Sequence, residues 1–216
     1  MYKRQNECLG TGTPAAQRTP DQAHKLKTIV DVLKMPESSV LGHLSWGTYG
    51  IQDIVAKNGG VSPFGNAGVR YAGSADDLKL NEEIQRIKAD PSAVSKFSAD
   101  VNHQGRFKVP VISTHAINDS TVFVEGQDLL KKKMVAAGTS HLLVQTFVDS
   151  REHSYWGDVH YPPLFNAIIQ WVEKGQKPSA TDIDQQCKLL SSGRPSECKF
   201  LPNYVVNSME SRIYPR

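Results

Sequence analysis

The chain has 216 residues, enough for one domain or one and a half, with 39% hydrophobic and 22% charged positions. That composition fits a globular chain able to bury a core, and the formal charge of +3 is too small and scattered for a nucleic-acid-binding surface. No stretch approaches the 18 or more apolar residues of a membrane span, and no apolar leader opens the chain.

The opening Met1-Tyr2-Lys3-Arg4-Gln5 matches what a common transposase adapter encodes when read in frame from a GTG start. Natural coding sequence is therefore expected to enter near Asn6, truncated upstream; a solvated native N-terminus is the alternative. Thr19-Pro20-Asp21 reads as a helix start: a capping hydroxyl, proline at the first helical position and an acid in the first turn. Leu26, Ile29, Val30 and Leu33 then recur at helical spacing up to Pro36. Ser38 or Ser39 is the expected cap of a second helix to about Lys57, stopped by Asn58-Gly59-Gly60. A loop rich in Gly, Pro and Asn follows to Ser74, with one short extended piece at Val69-Arg70-Tyr71. A third helix is expected from about Asp76 to Lys88, and Asp90-Pro91 opens a short fourth. The first hundred residues thus read as helical and nearly free of strands.

The pattern changes at Gly105. Val109 to His115 is β-rich and apolar on both faces, as in a parallel strand covered by helices. Val124 to Ala137 returns to helical spacing and ends at Gly138. Leu142 to Val148 is a second buried strand, and Pro163 to Val172 a closing amphipathic helix stopped by Gly175. Strand, helix, strand and helix in about 70 residues make a βαβ unit. Lys131-Lys132-Lys133, the one basic run, lies on the first of these helices and reads as a solvated face. Beyond Lys177 the chain is mostly polar, with a modest helix near Asp182 to Leu190.

Two loop residues carry the chemistry. Asp119, in Ala116-Ile117-Asn118-Asp119-Ser120-Thr121-Val122, follows the first strand by a few residues. His153, in Arg151-Glu152-His153-Ser154, follows the second. Parallel strands deliver such residues side by side at their carboxyl ends. A buried carboxylate there orients an imidazole and stabilises its protonated form, and the imidazole moves a proton to and from a hydroxyl. The alternatives are a helix-capping aspartate and a solvated histidine.

Together these residues make the Val109–Val172 run resemble the C-terminal half of an α/β-hydrolase. Ala-Ile-Asn-Asp-Ser-Thr-Val is similar to the family's acid loop, and Arg-Glu-His-Ser to its histidine loop. The resemblance implies a doubly wound parallel sheet preceded by a helical cap over residues 1–105. The core is then 106–176 and the tail 177–216. It implies a serine hydrolase of esters, less readily of amides, with Asp119 as triad acid and His153 as general base. The family's nucleophile sits on a G-x-S-x-G turn. No such motif occurs, and the nearest approach is His43-Leu44-Ser45-Trp46-Gly47, within a helical pattern. The nucleophile is therefore expected upstream of these residues. Ser45 in a compact complete hydrolase, and a non-catalytic binding module, are the alternatives.

His43, Trp46, Tyr49 and Trp156 are candidates for a substrate pocket between cap and core, or for ordinary packing. Cys187 and Cys198 flank a short polar loop, which suits a disulfide and an oxidising compartment, secreted or periplasmic; two free thiols are the alternative. The segment Asn66-Ala67-Gly68-Val69-Arg70-Tyr71-x-Gly73-Ser74 and this cysteine tail resemble a secreted-type bacterial subgroup of the family. No metal site is expected, because His115, His141 and His160 lack partners at ligand spacing, and no P-loop or dinucleotide motif points to a cofactor.

Overall fold

The computed structural model describes residues 2–33 and 35–210, so Met1 of the adapter-like opening lies outside the described residues. The chain divides into two compact units. One holds the described residues up to Asn102 together with Glu210, and the other is His103–Met209.

The first unit is helical: α1 (Tyr2–Leu9), α2 (Pro20–Leu33), α3 (Glu37–Lys57), α4 (Asp77–Glu83) and α5 (Pro91–Val101). Thr19 caps α2 as its residue type suggests. Its hydroxyl accepts from the backbone of Gln22 at 3.2 Å, while the Gln22 side chain accepts from the Thr19 backbone at 3.0 Å. A small core of Leu26, Met35 and Val40 joins α2 to α3, with Ile29, Val30 and Leu44 against it. Asp90 caps α5 through the backbone N–H groups of Ser92 and Ala93.

Two local expectations here need correction. Neither Ser38 nor Ser39 caps α3, because the helix starts at Glu37 behind Pro36, whose extended backbone leads straight into the first turn. The helix after Asp76 stops at Glu83 rather than reaching Lys88. Its missing last turn is taken up by the loop before it. Asn66 accepts from the Ile87 backbone at 2.7 Å, and the Arg86 guanidinium donates to the carbonyls of Asn66, Val69 and Asn81. These bonds replace helical ones, so Ile84 turns to extended backbone and residues 84–88 are not helical. Val69-Arg70-Tyr71 forms no strand; it is held through Asn81, whose side chain bonds both the N–H and the carbonyl of Tyr71.

The second unit carries the sheet: β1 (Val111–Ala116), α6 (Gly126–Ala136), β2 (Leu143–Val148), α7 (Tyr161–Lys174) and α8 (Ala180–Leu190). β1 and β2 pair in parallel, Val111 opposite Leu143 through Ala116 opposite Val148. The fold is thus α/β in kind, with a two-stranded parallel sheet among the described residues. Val144 and Val148 from β2 meet Ala167 and Trp171 from α7, Ile183 and Cys187 from α8, and Phe200. The chain beyond Lys177 therefore contributes Ile183, Cys187 and Phe200 to this unit's core. A Ser179–Asp182 capping box starts α8.

Cys187 and Cys198 form a disulfide, with Cα atoms 5.9 Å apart. Just past it, Phe200 bridges antiparallel to Val148. Lys199 accepts from the Asp149 backbone and Leu201 donates to Phe147, each at 2.8 Å. One edge of β2 is covered in this way. A groove between β1 and α7 is lined by Pro110, Val111, Ile112 and Thr114 and by Leu164, Phe165 and Ile168.

Candidate functional site

The pairing of β1 with β2 does not stop where the strands end. Ile117 donates to the carbonyl of Val148 at 3.0 Å, and Asn118 to that of Ser150 at 3.1 Å. The two loops leaving the sheet are thus joined for two further residues before they part. Asp119 stands three residues past the end of β1 and His153 five past the end of β2, and the joined backbones carry them to the same place.

There, Oδ2 of Asp119 and Nδ1 of His153 are 2.7 Å apart. The other carboxylate oxygen, Oδ1, accepts from the backbone N–H groups of Thr121 at 2.7 Å and Val122 at 3.1 Å. One oxygen builds the turn and the other orients the imidazole. Asp119 does not cap α6, which begins seven residues later behind Glu125. Thr121 and Val122 act through main-chain atoms that any residue but proline supplies, which is why their part in the site leaves no mark in the sequence.

Burial and exposure differ sharply across this pair. The Asp119 side chain is 3% exposed and the His153 side chain 48%. Burial alone would push the carboxyl up; the His153 hydrogen bond and the two backbone donors outweigh it and hold the group below the usual carboxylate range. The carboxylate is therefore charged, buried and saturated with donors. With Nδ1 facing an acceptor, that nitrogen carries the ring proton and Nε2 is the basic one. Among the described residues Nε2 meets no hydrogen-bond partner, so a desolvated acid holds an accessible base.

The loop around His153 is itself braced. Ser150 Oγ accepts from the Glu152 backbone at 3.0 Å. Trp156 Nε1 donates to the Glu152 carbonyl at 3.0 Å, and the Tyr161 hydroxyl to that of Ser154 at 3.2 Å. Trp156 stacks near-parallel on Tyr161 and packs against the core of the second unit. It therefore fixes the carbonyl just before His153 while standing in the same loop.

No protein-family model, curated protein or solved structure matches the chain. The site stands on its own geometry.

Ser45, His43, Trp46 and Tyr49 fall in the first unit. Ser45 lies in the middle of α3, on continuous helical backbone, and not on a strand-to-helix turn. The local chain thus lacks the sharp bend that would push a nucleophilic hydroxyl forward. Trp46 and Tyr49 share α3 and are largely exposed, at 71% and 61%. His43 bonds through Nδ1 to the Ser39 carbonyl, one helical turn back, at 2.8 Å. His115 is buried with Nδ1 on the Ala116 carbonyl, and His160 is buried between two backbone partners. Among the described residues no group of three or more His, Cys, Asp or Glu is placed to hold a metal ion, and no helix is long and apolar enough to cross a membrane.

Proposed function

We propose that His103–Met209 is the acid-and-histidine part of a serine hydrolase site acting on esters, with amides a lesser class. The observation that carries this reading is the 2.7 Å contact between the buried, charged Asp119 and the accessible His153. In the proposed reaction a serine hydroxyl attacks an ester carbonyl while Nε2 of His153 takes its proton. The imidazolium so formed is stabilised by Asp119 and returns the proton to the departing alcohol. Water then repeats the sequence on the acyl-enzyme.

The nucleophile is proposed to come from chain outside these 216 residues, joined to the edge of β1 that pairs with no strand among the described residues. That strand's groove is walled by apolar residues of α7, a setting suited to a further strand. The Cys187–Cys198 disulfide supports an oxidising compartment, secreted or periplasmic.

The test is a fluorophosphonate probe applied to the 216-residue chain and to a version extended by the upstream gene sequence, with adducts mapped by mass spectrometry. Labelling of a serine only in the extended protein, abolished by His153→Ala, is the expected outcome. Ester turnover unchanged in His153→Ala would sink the assignment. An adduct on Ser45 that disappears on denaturation would instead support the compact enzyme.

A further inference from the structure

The loop that presents His153 runs from the end of β2 to the start of α7, and both of its ends meet the backbone of one residue, Lys199. At the start, the Asp149 N–H donates to the carbonyl of Lys199 at 2.8 Å. At the finish stands His160, 1% exposed, on the threshold of α7. Its Nδ1 lies 3.2 Å from the Gly157 carbonyl and its Nε2 is 3.1 Å from the Lys199 N–H. The partners assign the tautomer: Nδ1 faces an acceptor and carries the proton, while Nε2 faces a donor and is bare. The His160 ring also meets Phe200 edge-on, with centroids 5.1 Å apart. Lys199 follows Cys198, whose disulfide partner Cys187 is wholly buried on α8.

We infer that His160 and the Cys187–Cys198 crosslink form a clasp that, through the Lys199 backbone, holds both ends of the loop and so positions His153 against Asp119. His160 touches no substrate in this scheme; it is a positioning residue. The inference deepens the hydrolase reading and rests on it for catalytic meaning, while the clasp itself is a structural claim.

Three physical reasons favour a clasp over incidental packing. A loop of this length held only at its strand end would leave the His153 backbone free to fluctuate, and a 2.7 Å charge-assisted bond tolerates little displacement. The Lys199 backbone uses both its N–H and its C=O on the two loop ends, so the position of that residue sets theirs. That position is fixed covalently one residue away, on a helix buried in the same core. The arrangement also needs histidine's shape, since the ring spans an acceptor and a donor with nitrogens on opposite sides of a flat body.

The experiment follows the His153 Nδ1 proton by NMR in the full 216-residue chain. A proton shared with a buried carboxylate resonates far downfield, and its loss in His153→Gln assigns it. In His160→Leu, which removes both clasp bonds, that signal is expected to broaden or vanish. Amide exchange over 149–160 and 199–201 should speed up about tenfold or more while α6 and β1 keep their protection. His160→Gln, which retains an acceptor for the Lys199 N–H, is expected to restore much of the signal. Reduction of the crosslink in the unmutated chain should reproduce the His160→Leu pattern.

A sharp signal in a folded His160→Leu chain, or in the folded reduced chain, overturns the inference. So does loss of protection throughout the second unit under both perturbations, because the contacts would then stabilise the unit in general rather than place the loop. No step depends on turnover. Failure of the hydrolase reading would appear as absent labelling with the downfield proton and clasp intact, a different result.

Discussion

Asp119 shows how one residue can meet two demands with two atoms. As a residue type, an aspartate shortly before a helix reads equally as a turn builder and as a charge partner, and here Oδ1 does the first and Oδ2 the second. His160 is the opposite case, a histidine whose role is invisible without its backbone neighbours. Their opposite chemistries give the second unit two separate acid-sensitive ranges. Burial, with some help from the nearby Lys199 charge, pulls His160 below its ordinary value of 6.5. The unfolded chain therefore takes up that proton first, so stability holds above about pH 6.5 and declines as pH falls towards the lower folded value. Asp119 is held below its ordinary 3.8. Its contribution is complete above that value and is lost as pH falls through the folded one. Urea unfolding between pH 2 and 8 should show both declines. His160→Gln should flatten the upper one and Asp119→Asn the lower, each leaving the other in place.

At the scale of elements, the helices and strands of the second unit follow from apolar spacing and from what ends each run. Gly175 closes α7 with a left-handed φ of 68° and open space around it. Gly105 also has a positive φ, 69°, but packs on the end of α6, where an added Cβ would lie 2.8 Å from the Met134 nitrogen. Thr139 ties the same turn by donating to the Gly105 carbonyl. Gly175→Ala should therefore cost only the left-handed strain, about 1 kcal/mol. Gly105→Ala adds a backbone clash and should cost ~3 kcal/mol. Equal shifts in urea midpoint for the two variants would contradict this account. The elements that residue spacing misplaced were in the first unit, where side-chain amides and a guanidinium took over backbone partners. The periodicity of Ile84 and Ile87 suits a helix to Lys88, yet Asn66 and Arg86 offer the chain a competing set of hydrogen bonds.

Across the molecule, the disulfide ties the last part of the chain into the same core that carries His153. It links residues 11 apart in sequence, and closing a loop of that length is worth about 3 kcal/mol through the unfolded chain. Reduction should lower the second unit's stability by that amount, read as the difference between oxidised and reduced urea midpoints. A difference near zero would mean that α8 and Phe200 hold the chain end without it. What could be read from residue order alone was local: apolar strands before and after a helix, the stops at Gly138 and Gly175, the α/β character, and an acid and a histidine in the two loops that parallel strands bring together. Those signals depend on side-chain type and spacing within one element, which the linear chain carries in full. Only the folded chain decided that Ile117 and Asn118 extend the pairing past the sheet and bring the pair to 2.7 Å, and that Asp119 is buried while His153 is open. It also decided that Lys199, 46 positions beyond His153, braces the histidine loop at both ends. Apart from the Asp119–His153 contact itself and the His160 ring that receives the Lys199 N–H, the bonds that set this arrangement are main-chain hydrogen bonds between distant segments. Every residue but proline offers the same donor and acceptor to them, so no choice of amino acid announces them in advance.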